Sequence, residues 1–232
     1  MEAQVKYETH VVYVDFFPKS HENALQCINS LDSTWNAFLF SGCSPENLDY
    51  YEEKYKISKI QKSRKKINYK KIQSKKCCFY SHYALWNLCI EKDLKYITVL
   101  ENDTEENAIF PRDQIEGFLE RNKKVGIQLT AESMLTHLPK YRKYKIKYEE
   151  SNRGINEIFY FHGFGKRFFA GATGYILDQE ACRYLIDKVN NKGWYQNDLM
   201  FSIEDDFPLY FIKPSPVKYL PEKELKTSSF KT

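Results

Sequence analysis

The sequence lacks the patterns that identify several common classes of protein. Its six cysteines contain no CxxC pair, which excludes a zinc knuckle and a dithiol redox motif. Cys77 and Cys78 are adjacent and would make an awkward disulfide framework, so we expect reduced, partly buried thiols. No apolar run approaches the roughly 20 residues that span a bilayer. The N-terminus also lacks the basic-then-apolar pattern of a signal peptide. We therefore expect a cytoplasmic protein with no transmembrane segment.

Glycine is scarce and unevenly placed. Only 9 of the 232 residues are glycine, and four of them fall between Gly163 and Gly174. Glycine permits unusual backbone angles and close approach to a ligand, so this segment, including Gly171, is a candidate binding loop. Its pattern is neither a Walker A loop nor a clean GxGxxG, so neither a P-loop nor a dinucleotide site is predicted.

Aromatic and basic residues are abundant in the chain. Aromatics make up 16% of the residues, which excludes a disordered protein. A chain of 232 residues suffices for one large domain or two small ones, and an α/β domain of this size needs no disulfide or metal for its stability. The net charge of +4 does not by itself indicate a nucleic-acid-binding protein. The basic segment, residues 62–76, holds eight Lys or Arg and no acid. Such a run is either a solvated loop or a contact for phosphates, nucleic acid or an anionic glycan.

The segment from Lys95 to Asp103 predicts a buried strand that ends in two carboxylates. Its apolar residues suit a strand covered on both faces. Glu101 and Asp103 follow at the carboxyl end, which is where open α/β sheets bind ligands. Two carboxylates in this position can share a divalent cation that bridges phosphates. The alternative is a strand end followed by a solvated acidic turn.

Two further side chains have two interpretations each. His82 lies in a predicted helix over Cys78–Ile90, among aromatic residues, where it is either a satisfied core histidine or a functional group. Asp198 lies among aromatic residues near the C-terminus. Desolvation there would raise its pKa and suit a general base; the alternative is the N-cap of a short helix. Residues 133–156 are polar and weakly periodic, and we expect a flexible excursion from the sheet.

Four blocks of the chain, in this order, resemble the family 25 glycosyltransferases, which include bacterial lipooligosaccharide galactosyltransferases and the collagen galactosyltransferases. The blocks are a first strand ending at Asp15, then Cys78-Phe79-Tyr80-Ser81-His82-Tyr83 with Trp86, then Val99-Leu100-Glu101-Asn102-Asp103, and then Gly171-Ala172-Thr173-Gly174-Tyr175-Ile176-Leu177. At these places the family has a strand ending in Asn-Leu-Asp, a Gly-Cys-x-x-Ser-His helix, an apolar pair before Glu-Asp-Asp, and a Gly-Thr-x-x-Tyr segment. The resemblance covers most of residues 10–217.

The chain departs from the family at three places. Cys77 stands where the family has glycine, and Asn102 replaces the middle acid of the acidic motif. No histidine follows His162, so the C-terminal histidine metal ligand of many related enzymes is missing. The outer carboxylates, Glu101 and Asp103, are retained.

The resemblance implies an α/β fold, a single GT-A (Rossmann-like) domain over residues 1–218 with a mixed, mostly parallel central sheet flanked by helices. A polar tail over residues 219–232 would follow. It also implies a nucleotide-sugar donor, with a UDP-sugar expected, an Mn²⁺ or Mg²⁺ ion, and inversion at the anomeric carbon. The residues implied are Glu101 and Asp103 for the metal, Asp198 as the base, Lys75 and Lys76 for the phosphates, and Asp15, Ser81, His82, Glu101 and Gly171 for the donor pocket.

Several alternatives stay open at this point. The acceptor is a glycan, a protein or a modified DNA base, the last because of the basic segment. A degenerate domain of this type could bind a nucleotide or glycan without turnover. A basic nucleic-acid-binding module is a third class, although no recognisable motif of such modules is present.

Overall fold

The structure, a computed structural model, describes residues 7–57, 69–137, 139–159, 171–194, 201 and 207–220. Its strands are β1 (Tyr7–Tyr13), β2 (Ala37–Ser41), β3 (Tyr96–Glu101), β4 (Thr104–Glu106), β5 (Gly126–Gln128), β6 (Gly154–Glu157), β7 (Gly174–Asp178), β8 (Leu209–Lys213) and β9 (Val217–Tyr219). Its α-helices are α1 (Pro18–Ser30), α2 (Leu48–Tyr55), α3 (Tyr69–Glu91), α4 (Arg112–Arg121), α5 (Ala131–His137), α6 (Lys145–Glu150) and α7 (Gln179–Lys192), and two short 3₁₀ helices cover Ser33–Trp35 and Pro139–Tyr144.

Seven strands form one mixed sheet in the order β2-β1-β3-β7-β5-β8-β6. The pairs β2–β1, β1–β3 and β5–β8 are parallel, whereas β7 and β6 run against their neighbours. Five of the seven strands therefore share one direction. A two-stranded antiparallel ribbon of β4 and β9 lies beside this sheet. The expected α/β class, with a mixed and mostly parallel sheet flanked by helices, is confirmed.

The central strand β3 is buried on both faces because its side chains alternate between two hydrophobic cores. Ile97 and Val99 join the core that includes α3 and α7, with Trp86 and Leu185. Leu100 joins the opposite core, which includes α1 and α4. This period-two alternation is what a strand covered by helices on both sides requires. The predicted strand is confirmed, and it ends at Glu101.

The sequence predicts Asp178 as the cap of a helix that runs to about Val189, and helix α7 begins directly after this residue. Asp178 accepts hydrogen bonds from the backbone N–H groups of Ala181 (2.8 Å), Lys124 (2.8 Å) and Val125 (3.1 Å). One carboxylate therefore caps the helix and also fastens the chain that enters β5. Burial raises the pKa of Asp178, against the lowering effect of these three N–H groups.

Residues 133–156, which we expected to form a flexible excursion from the sheet, contain regular secondary structure. The segment contains the end of α5, a 3₁₀ helix, α6 and most of β6. Tyr148 of α6 is buried, and its hydroxyl lies 3.3 Å from both Glu132 and Ser215. The Lys213 ammonium donates to the carbonyls of Tyr148 (2.9 Å) and Ser151 (2.8 Å) at the end of α6. Helices this short are stabilised mainly by packing against distant residues, and they are too short to show a clear periodicity in sequence.

The sequence predicts a helix from Ser20 to Leu31, but helix α1 begins two residues earlier. Ser20 is the expected N-cap, but the helix starts at Pro18, a residue suited to the first helical position. The Ser20 hydroxyl instead accepts a hydrogen bond from the backbone N–H of Val14 (2.9 Å) and another from the Asn102 side chain (2.8 Å). The serine thus connects the end of β1 to the acidic turn.

The C-terminal part of the described chain returns to the acidic turn. Tyr219 pairs with Thr104 in the β4–β9 ribbon, and the Leu220 N–H donates to the carbonyl of Asp103 (2.8 Å). Residues 221–232 lie outside the described residues, and the proposed domain division stays a prediction. In the described ranges, no helix is both long and apolar enough to cross a membrane.

Candidate active site at the end of the central strand

The acidic turn, Glu101 to Thr104, is held in place from several directions. The Thr104 hydroxyl donates to the carbonyl of Glu101 (2.7 Å), and the Glu101 N–H donates to the carbonyl of Thr173 (2.7 Å). Asn102 donates from its amide to the carbonyl (3.2 Å) and the hydroxyl (2.8 Å) of Ser20. The turn therefore presents its two carboxylates on a fixed backbone at the edge where β1 and β3 end, as expected for a ligand site.

The Asp103 carboxyl has one buried oxygen and no ion-pair partner among the described residues. Its Oδ1 atom is buried and has no hydrogen-bond partner there. Burial raises the pKa of this group well above its usual range, and the nearby charge of Glu101 raises it further. A buried oxygen left unpaired costs roughly 1–3 kcal/mol, more if it is charged. A proton or a cation would remove this cost, so the residues present fit a divalent ion.

The Glu101 side chain contacts two residues of helix α3. Its Oε1 atom lies 3.3 Å from Nε2 of His82 and 3.9 Å from Sγ of Cys78. The other nitrogen of His82, Nδ1, lies 2.7 Å from the hydroxyl oxygen of Tyr175. Trp86 donates from Nε1 to that same oxygen at 3.1 Å.

These contacts determine the tautomer of a neutral His82. The Glu101 carboxylate can only accept hydrogen bonds, and the Trp86 indole N–H can only donate one. Nε2–H of His82 therefore donates to Glu101, Nδ1 accepts from the Tyr175 hydroxyl, and Tyr175 accepts from Trp86. His82, Trp86 and Tyr175 are almost completely buried. His82 is therefore a core residue whose outer nitrogen contacts the acidic turn, and a functional role for it stays a prediction.

Ser81 is buried, and its hydroxyl forms two hydrogen bonds with backbone groups. Its hydroxyl donates to the carbonyl of Cys77 (3.0 Å) and accepts from the backbone N–H of Cys43 (2.8 Å). A Cβ atom at Gly42 would lie 2.6 Å from the Ser81 oxygen, so the loop after β2 packs closely on this serine. Ser81 therefore shapes the site by positioning that loop against α3. A direct contact with a donor stays a prediction.

Asp15 lies at the same edge of the sheet as the acidic turn. It follows β1, in which Val12 pairs with Glu101 of β3. Its exposed carboxylate accepts a hydrogen bond from the hydroxyl of Ser41, which ends β2. The three parallel strands thus bring Asp15, Ser41 and Glu101 to one edge.

The two predicted phosphate-binding lysines have different environments. Lys75 is exposed on α3. Lys76 is half-buried, and its ammonium forms an ion pair with Glu52 of α2. A role for Lys76 at a phosphate would require that pair to open. Residues 62–68 of the basic segment lie outside the described residues.

Gly171 has the backbone conformation that its residue type suggests. Its φ of 96° lies in the region that favours glycine, and a Cβ atom there would lie 2.2 Å from Cε of Met134. Two residues later, Thr173 accepts from Glu101, so the glycine-rich segment is directly connected to the acidic turn. Asp198, the predicted base, and Gly163 and Gly165 lie outside the described residues.

The structure adds Cys78, Tyr175 and Trp86 to the expected site. Cys78 is the exposed cysteine; the other five are buried, and all six are thiols rather than disulfides. The available signal for Cys78 was its spacing of four from His82, which places both on one face of a helix. Among the described residues, Cys78, His82 and Glu101 form the one group of three possible metal ligands, with all ligand atoms within 4.8 Å of one another. Asp103 is not part of that group.

A family model and a curated relative agree with the resemblance. The chain matches the model of glycosyltransferase family 25 (LPS biosynthesis protein) over residues 22–201. It is 30% identical over 121 residues to the lipooligosaccharide biosynthesis protein lic2B of Haemophilus influenzae. That alignment covers 51% of this chain and 42% of the relative, less than half of its length. Among solved structures, mouse xyloside xylosyltransferase 1 in its apo form is similar with a TM-score of 0.40 and 11% identity, over 82% of this chain and 77% of that one. Since the family model matches most of its length, the chain belongs to glycosyltransferase family 25.

Proposed function

We propose that this protein is a metal-dependent, inverting glycosyltransferase that moves a sugar from a nucleotide-sugar, with a UDP-sugar expected, to a hydroxyl of an acceptor. Family membership supports the reaction class. The observation that carries the metal dependence is Asp103, whose buried and unpaired oxygen lies beside the charge of Glu101 at the ligand-binding edge of the sheet.

The two carboxylates are suited to Mn²⁺ or Mg²⁺. Both ions prefer oxygen ligands and are commonly bound by one or two carboxylates together with substrate phosphates. A bound ion of this kind would act as a Lewis acid and stabilise the charge on the leaving diphosphate. Asn102 supports this arrangement, because its hydrogen bonds to Ser20 fix the turn between the two carboxylates without adding a third charge.

The remaining roles belong to side chains around this edge. Asp15 and the backbone at Gly171 are proposed to contact the donor, and Lys75 and Lys76 are proposed to contact its phosphates. Inversion by a single displacement needs a base that takes the proton of the acceptor hydroxyl. We propose Asp198 for that step.

The acceptor is proposed to be a surface glycan. The support is the relative named for lipooligosaccharide biosynthesis, which matches half of this chain. A protein hydroxyl or a modified DNA base is the alternative, and the basic segment is the feature that would favour nucleic acid.

Thermal stability measured against a panel of nucleotide-sugars, with and without Mn²⁺, tests the proposal. We expect one donor to stabilise the protein only when the metal is present, by about 2.7 kcal/mol at about 100 times its dissociation constant. The Asp103→Asn variant should lose this effect. Asp93→Asn is the matched control, because Asp93 is an exposed aspartate before the opposite end of β3.

Two results would count against the proposal. Stabilisation by a donor that is equal in chelator and in Mn²⁺ would contradict metal-dependent donor binding. Stabilisation with no sugar transfer to any glycan, protein or DNA acceptor would favour a binding domain without turnover.

A further inference from the structure

A second set of possible metal ligands lies beside the acidic turn. Cys78 and His82 are one helical turn apart on α3, and Glu101 ends β3. Their ligand atoms lie within 4.8 Å of one another. The three residues combine a sulfur, a nitrogen and an oxygen donor, whereas the pair Glu101 and Asp103 offers oxygen alone.

The geometry points to a binding site for a thiophilic divalent cation of the Zn²⁺ class at Cys78, His82 and Glu101. This set of ligands differs from the proposed pair of Glu101 and Asp103, although Glu101 belongs to both. Proteins bind Zn²⁺ at about 2.3 Å from sulfur and about 2.0–2.2 Å from nitrogen and oxygen in a tetrahedral arrangement. These lengths place neighbouring ligand atoms roughly 3.3–3.6 Å apart. The observed separations from Glu101 are 3.3 Å to His82 and 3.9 Å to Cys78.

His82 is already oriented as a metal ligand. Tyr175 holds Nδ1 at 2.7 Å, and Trp86 fixes the Tyr175 oxygen from the other side at 3.1 Å. When Nε2 coordinates a cation, the imidazole proton resides on Nδ1 and is donated to the Tyr175 oxygen. Metal-bound histidines usually donate a hydrogen bond from their second nitrogen, and the Tyr175 oxygen is the acceptor available here.

The donor atoms determine which ions this site prefers. A thiolate with an imidazole and a carboxylate selects Zn²⁺ over Mg²⁺, whereas carboxylates alone suit Mg²⁺ and Mn²⁺. Three protein ligands leave the fourth tetrahedral position open for water or another molecule. Because Glu101 belongs to both sets, a cation at Cys78 and His82 draws this carboxylate away from Asp103. Zn²⁺ should therefore compete with Mn²⁺-dependent donor binding.

Cobalt is the direct probe of this site. Co²⁺ occupies zinc sites and gives a thiolate-to-cobalt charge-transfer absorption when a cysteine is a ligand. We expect titration of the reduced 232-residue protein with CoCl₂ to produce this band with one equivalent, and Zn²⁺ to abolish it. The Cys78→Ser variant should lose the band; because Cys78 is exposed, the substitution leaves the core intact. Tyr175→Phe should keep the band but weaken Co²⁺ binding by roughly 10–100-fold.

The matched control separates this inference from the proposed function. Asp103→Asn should keep the cobalt band while it loses Mn²⁺-dependent donor binding. No thiolate band in the wild-type protein, or a band that persists in Cys78→Ser, would overturn the zinc-class site and leave the transferase proposal standing. A normal band in a protein that binds no nucleotide-sugar would support the site and count against the transferase.

Discussion

The hydroxyl of Tyr175 provides a sharp test of how the site is held together. It accepts a hydrogen bond from Trp86 at 3.1 Å and contacts Nδ1 of His82 at 2.7 Å, and all three side chains are buried. Tyr175→Phe removes this oxygen without changing the ring, so it creates no cavity beyond one oxygen atom. The buried nitrogens of Trp86 and His82 lose their partner.

The expected cost follows from the two groups left unpaired. Each buried donor or acceptor without a partner costs about 1–3 kcal/mol. We therefore expect Tyr175→Phe to lower the free energy of unfolding by about 2–6 kcal/mol. The substitution should also loosen His82, so that its contact with Glu101 is no longer fixed.

Tyr96 is the matched control for this experiment. It lies on the neighbouring strand β3 and is equally buried, but its hydroxyl has no hydrogen-bond partner among the described residues. Tyr96→Phe removes an unpaired polar atom, so the stability should be unchanged or higher. Urea denaturation of both variants gives the comparison, with constant m-values showing that the unfolded states are equivalent. Equal losses for the two variants would refute the reasoning.

Three further predictions concern stability. Gly171→Ala should destabilise the protein by more than about 1 kcal/mol, because its φ is 96° and the new Cβ would meet Met134, whereas Gly117→Ala within α4 should stabilise it by roughly 0.5–1 kcal/mol. Asp178→Ala should cost at least about 2 kcal/mol in thermal or urea unfolding, because the α7 cap and two further N–H partners are lost. The raised pKa of Asp103 means that the folded state binds more protons than the unfolded one above about pH 3.9, so the stability of the metal-free protein falls as pH rises toward the folded pKa. Asp103→Asn should remove this fall; an identical pH dependence in both proteins would contradict the assignment.

Local pattern predicted the elements whose own residues determine them. The sequence predicts a helix from about Arg112 to Arg121 and a strand from Ala37 to Ser41, and the structure has both elements with these bounds. Asp178 was recognisable as a cap because capping depends on residues a few positions away. The acidic turn after β3 was also visible, since an apolar run ending in carboxylates is a local feature.

Long-range contacts account for what the sequence did not reveal. Tyr148 stabilises the short helix α6 by packing against residues far along the chain, with Ser215 as one partner. Ser20 resembles an N-cap locally, but its hydroxyl binds Val14 and Asn102 instead. Cys78 joins Glu101 only because α3 crosses the end of β3, which no spacing within the helix could show. The expectations for Asp198 and for residues 62–68 stay predictions.

Turnover of a nucleotide-sugar tests the central claim most directly. The donor that stabilises the protein is incubated with the acceptor and Mn²⁺, and release of the nucleoside diphosphate is followed for the wild type, Asp103→Asn and Asp93→Asn. We expect the wild type and Asp93→Asn to turn over at similar rates. Asp103→Asn, and the wild type in chelator, should be slower by at least about 100-fold, which corresponds to the loss of several kcal/mol of Lewis-acid stabilisation. Full activity of Asp103→Asn, or of the wild type in chelator, would contradict the account.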